Sequence, residues 1–163
     1  MKRPYLRASE AHPLHKREGL VRHCILCLFT LSLLSIQSAW AEPKAVERGT
    51  ELRPTLLNTI RPFAEQNLGA PVEFVVKELT VDGDVALGRL SAQRPGGGRI
   101  VIEETPMVVE YGEDPDFIDG PEVEVFFVRN GGVWEVYQYA IGATDVWWIG
   151  FECDKFGTLL PGC

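Results

Sequence analysis

The sequence predicts an α+β domain: one kinked N-terminal helix packed on a curved antiparallel sheet of five or six strands. Three observations carry this expectation. Apolar residues recur at the helical period from Leu52 to Leu68. The chain beyond Val72 runs in short β-branched and aromatic stretches. Asp82-Gly83 and Asn130-Gly131-Gly132 stand between such stretches and read as hairpin turns.

The domain is expected to begin only at Glu42. From Cys24 to Ile36 the chain carries no charge over 13 residues, after the basic Lys16-Arg17 and Arg22 and before the small-residue pattern Ala39-Trp40-Ala41. This is the layout of a secretory signal peptide, residues 1–41, with cleavage between Ala41 and Glu42. The alternative, a membrane anchor, wants about 20 apolar residues, and the run is shorter. A translation start at Leu20 or Val21 would give a signal of more ordinary length. One periplasmic or secreted domain, 42–163, is the resulting expectation, with no stable membrane anchor after cleavage.

Cleavage would also strip the chain of much of its chemistry. His12, His15 and His23 all precede Glu42, and Ser91 is the one serine beyond it. Ser-His-Asp and Cys-His catalysis are thereby excluded, as are the commonest zinc ligand sets. No catalytic residue, metal or cofactor is expected. Six of the 16 Lys+Arg and two of the 23 Asp+Glu lie before Glu42, leaving 10 basic against 21 acidic residues. So acidic a domain repels nucleic acid and anionic lipid, and suits solubility or a cationic partner. Two cysteines remain, Cys153 and Cys163. In an oxidising compartment such a pair forms a structural disulfide, which for so short a loop stabilises by roughly 3 kcal/mol. A redox pair would favour Cys-x-x-Cys spacing.

Taken in order, Leu52, Leu56, Leu57, Ile60, Phe63, Ala64 and Leu68 form one helical stripe. Gly69 and Pro71 stop it, and Pro62 inside it predicts the kink. A strand follows over Val72–Val81, with a bulge where alternation slips at Lys77-Glu78. The Asp82-Gly83 turn leads into a strand over Val85–Gln93. Arg94-Pro95-Gly96-Gly97-Gly98-Arg99 reads as a hairpin loop. Its glycines and arginines could cradle an anion, but no P-loop pattern surrounds them. Ile100–Glu104 and Met107–Tyr111 are expected as one or two strands broken at Pro106. The acidic loop 110–120 is solvated; calcium binding there lacks EF-hand spacing.

The hairpin from Val123 to Phe151 holds Trp134, Trp147 and Trp148 with Phe126, Phe127, Tyr137 and Tyr139, and is expected to be the domain's central wall. Asp145, beside two tryptophans, reads either as a turn cap or as a carboxyl in an apolar pocket suited to proton transfer. The tail to Cys163 is expected to be irregular and pinned by the disulfide. By element order alone the arrangement is analogous to the cystatin-like and NTF2-like cone folds.

The segments LRPTLLNTIRP (52–62), VEFVV (72–76) and GGVWEVYQYAIGATDVWW (131–148) resemble those of an uncharacterised family of small secreted proteins of Gram-negative bacteria. The resemblance implies an envelope location and a single domain, and carries no activity or site residues. Two readings of function remain. One is a non-enzymatic binding module that meets a protein or envelope component through an exposed Trp147-Trp148 run. The other is a cone-fold pocket that binds or transforms a small apolar molecule, with Asp145, or Glu73 with Glu103, as its polar group. Asp145, Trp147 and Trp148 are the candidate ligand-binding residues.

Overall fold

The computed structural model describes residues 42–149, 153–160 and 162–163. The expectations for the signal peptide, its cleavage after Ala41 and the translation start lie outside the described residues. The described chain is α+β, built on a five-stranded antiparallel sheet in the order β1-β2-β3-β4-β5. The strands are β1 (Lys44–Ala45), β2 (Glu73–Asp82), β3 (Val85–Gln93), β4 (Glu122–Asn130) and β5 (Val133–Ile141). Helix α1 (Leu52–Leu68) lies between β1 and β2 in sequence, a short helix α2 (Pro106–Val109) between β3 and β4, and α3 (Cys153–Phe156) near the C-terminus.

The turns place the strands. Gly131 and Gly132 both hold positive φ, 58° and 88°, between the paired Asn130 and Val133. Only such a turn matches the right-handed twist of a two-residue hairpin, and glycine adopts it without a Cβ penalty. A second tight turn at Gly83 joins β2 to β3, whose register slips between Val76 and Glu78 at the expected bulge. A further slip, opposite Phe126 and Phe127, leaves Tyr137 as the extra residue of β5.

Strand alternation divides the core in two. On one face Leu79, Leu90, Val123, Val125, Phe127 and Trp134 pack under Leu56, Ile60, Ala64 and Leu68, the buried stripe of α1. On the other face Leu87, paired with Phe126, is covered by Trp148, Phe156, Leu159 and Leu160. Phe126 and Phe127 are fully buried on opposite faces of the same strand, each stabilising by about 2–3 kcal/mol. The C-terminal cover is closed by the Cys153–Cys163 disulfide, with Cα atoms 5.4 Å apart.

Three expectations are corrected. Residues 102–104 and 106–109 form a 3-10 turn and helix α2 rather than strands, because Pro106 presets the first helical turn. The 123–151 hairpin is not the central wall: β3 is the middle strand, and β5 is an edge. The tail is not irregular, since α3 and a 3-10 turn at Gly157–Leu159 order it against Phe126. The glycine loop is the expected hairpin, closed by the Arg94–Gly98 bridge, and its groups are engaged within the fold. Arg94 turns inward to the carbonyls of Leu68 (2.8 Å) and Gly69 at the end of α1, while the Gly96 N–H donates to Glu73 Oε2.

Candidate functional site

Among the described residues the cover packs on Leu87 and Phe126, and the outer sheet face continues beyond them. Along β2, β3 and β4, the side chains that alternate outward past Leu87 and Phe126 are polar: Glu78 opposite Arg89, Arg89 opposite Glu124, and Ser91 opposite Glu122. Arg89 is the centre of this row. Its Nε donates to Glu124 Oε1 at 2.8 Å and its Nη1 to Glu78 Oε2 at 2.6 Å. Partial burial acts to lower the Arg89 pKa. The hydrogen bonds to Glu124 and Glu78 and their negative charge outweigh it, so the pKa stands above its ordinary value. The remaining Glu124 oxygen, Oε2, accepts the indole N–H of Trp147 at 2.9 Å.

Around this row opens a groove of about 580 Å³. Lys77 and Arg89 lie on its walls with four carboxylates, Asp119, Glu122, Glu124 and Asp145. A second groove of about 400 Å³ lies at the end of β5, where Glu113, Asp114 and the exposed Phe117 face Tyr139 and Ile141. Ala140, Ala143 and Asp145 line both grooves. Gly142 stands at their junction, between Ala140 and Ala143. Gly142 is buried at φ 60°, its N–H bonded to Glu122 O and its carbonyl to Asp119 N, each at 2.8 Å. A Cβ there would stand 2.4 Å from Ile118 Cγ2.

The three candidate ligand-binding residues are thus separated by role. Asp145 is exposed on the rim shared by the two grooves, not enclosed in an apolar pocket, because the chain leaves the sheet at Gly142 before reaching it. Trp147 is half-buried and spends its N–H on Glu124. Trp148 is 7% exposed and belongs to the outer core, so the aromatic run is a packing element there rather than a free surface. Ile149, next to it, is 70% exposed, and Phe151 lies outside the described residues.

Glu73 and Glu103 do not converge on a cavity: both are exposed, and Glu73 is engaged by Gly96. In the acidic loop, Asp114 Oδ1 accepts Asp116 N–H at 3.0 Å and caps the turn Pro115–Phe117. Among the described residues no three acidic, thiol or imidazole groups converge as a metal ligand set.

No family model, curated protein or solved structure matches this chain.

Sequence reading alone missed Arg89, Glu124 and Glu122. The signal was present as their alternation with apolar residues in VALGRLSAQ and EVEVFFV. Which carboxylates reach Arg89, however, depends on the pairing register between strands.

Proposed function

We propose that the chain is a secreted or periplasmic binding module, not an enzyme, and that it takes a cationic partner in the groove centred on Arg89. The observation that carries the reading is the charge balance of that groove: four carboxylates against Lys77 and an Arg89 already held by two acids. Such a wall attracts ammonium or guanidinium groups and repels anions. A protein or envelope component presenting lysine or arginine side chains fits it. The disulfide supports an oxidising compartment, and among the described residues no helix is long and apolar enough to cross a membrane. The resemblance to small secreted proteins of Gram-negative bacteria is part of the same reading, as is a cone-like arrangement in which α1 bends at Pro62 across a curved sheet. In that arrangement the helix-side face is filled by Leu56, Ile60 and Phe127, so the outer face is left for binding.

Calorimetric titration with a lysine-rich peptide tests the reading. Binding is expected at low salt, falling steeply as salt rises. Asp119→Asn with Asp145→Asn should weaken it by about tenfold, each removed charge costing about 0.7 kcal/mol at these separations. Indifference to every cationic peptide at low salt, or equal binding by the double variant, would refute it. N-terminal sequencing of protein from the envelope fraction tests the location, with Glu42 as the expected first residue.

A further inference from the structure

The geometry points to a more specific occupant: an extended peptide segment that adds to β5 as a sixth strand and carries basic side chains at adjacent positions. This rests on the cationic-partner reading and specifies how the partner is held.

β5 is an edge strand, and its outward backbone groups have no backbone partner among the described residues. In an antiparallel ladder, residues alternate between bonding inward and pointing to the free edge. The Gly142 N–H bonds inward to Glu122 O. Two residues earlier Ala140 therefore also faces β4, and the N–H and C=O groups of Tyr139 and Ile141 face outward. An incoming strand would find its hydrogen-bonding groups at these two residues, beside the point where the grooves meet.

Side chains of an added strand alternate between the two faces of the sheet. A residue opposite Ala140 would point toward the groove of Asp119, Glu122, Glu124 and Asp145. Its neighbour would point toward the groove of Glu113 and Asp114, which has no lysine or arginine among its lining residues. Both destinations are acidic, and consecutive residues reach one each. An added strand therefore reads a basic pair, not an isolated charge. Phe117, 73% exposed in the second groove, offers an apolar wall for the aliphatic stem of a lysine or arginine. Strand addition supplies affinity through the main chain, and alternate side chains supply the choice of partner.

The test uses the disulfide-bonded protein and three synthetic peptides. The first is Val-Thr-Lys-Arg-Thr-Val with blocked ends. The second has the same sequence with alternate backbone nitrogens methylated, which keeps the charges but removes strand pairing. The third replaces Lys-Arg by Gln-Gln. The first peptide is expected to bind and to slow amide exchange at Tyr139 and Ile141, measured by NMR. The methylated peptide should bind at least about tenfold more weakly, and the Gln-Gln peptide likewise. Equal binding of the first two peptides, with no added protection of those amides, would overturn strand addition while leaving a cationic groove intact. Equal binding of all three would overturn the cationic reading itself, and failure of all three to bind would overturn both.

Discussion

Replacing Arg89 by methionine should weaken the fold and tighten the binding of cations, two effects of opposite sign from one substitution. Methionine keeps most of the aliphatic stem that packs on the sheet and removes the guanidinium alone. Two charge-assisted hydrogen bonds are lost, at 2.8 and 2.6 Å. Fully buried, each would contribute about 1.5–3 kcal/mol. The Arg89, Glu78 and Glu124 side chains are 28%, 36% and 26% exposed, so water screens them and about 1 kcal/mol each is the better figure. Glu78 and Glu124, on the strands either side of β3, are then left facing one another without a cation. Strands two apart are separated by about 10 Å, which adds about 0.5 kcal/mol of repulsion in a largely aqueous setting.

The expected loss is therefore about 2–3 kcal/mol in urea denaturation of the oxidised protein, and smaller at high salt. The raised Arg89 pKa fixes the pH behaviour of the native contribution. It is present in full below the ordinary guanidinium pKa and is lost only as pH rises through the higher folded value, so Arg89 adds no pH dependence across the neutral range. Meanwhile one positive charge leaves the groove, and affinity for a lysine-rich peptide should rise by about threefold. A variant as stable as the native protein to within about 0.5 kcal/mol would show that the Glu78–Arg89–Glu124 row is a surface ornament. Weaker cation binding would refute the electrostatic account of the groove.

Four further perturbations test other parts of the structure. Phe126→Ala removes a fully buried ring 4.7 Å from Phe156 and 5.6 Å from Trp147, and should cost about 3–5 kcal/mol with loss of near-UV circular dichroism from the cover. Gly142→Ala places a Cβ 2.4 Å from Ile118 Cγ2 and 2.7 Å from Gly120 O at a left-handed φ, and should lower stability by about 3 kcal/mol or more. The same change at Gly83, where a Cβ meets nothing within 4 Å, should cost only about 1–2 kcal/mol by thermal denaturation. Substituting both Cys153 and Cys163 by serine should cost up to about 3 kcal/mol, and a red shift of tryptophan emission should accompany it as the cover over Leu87 loosens.

What the sequence determined by itself is what local chemistry dictates. Asn130-Gly131-Gly132 and Asp82-Gly83 admit few conformations other than tight turns, so both hairpins and the α+β class were legible. The slip in alternation at Lys77-Glu78 marked the bulge, and the pair Cys153 and Cys163, read with an expected oxidising compartment, marked the disulfide. The 102–109 segment misled because Ile102, Val108 and Val109 are β-branched, while Pro106 set the backbone against a strand. Only tertiary structure decided the rest. Whether Trp148 faces solvent or core depends on which sheet face is left uncovered, and α1 had already taken the other. Whether Arg89 is free or clamped depends on β2 and β4 arriving in register beside it, across separations of 11 and 35 residues. Asp145 lines both grooves only because Gly142, with no Cβ, lets the chain close against Ile118 and Gly120. Local propensity acts over a few residues, whereas these contacts join strands that a periodic pattern cannot align.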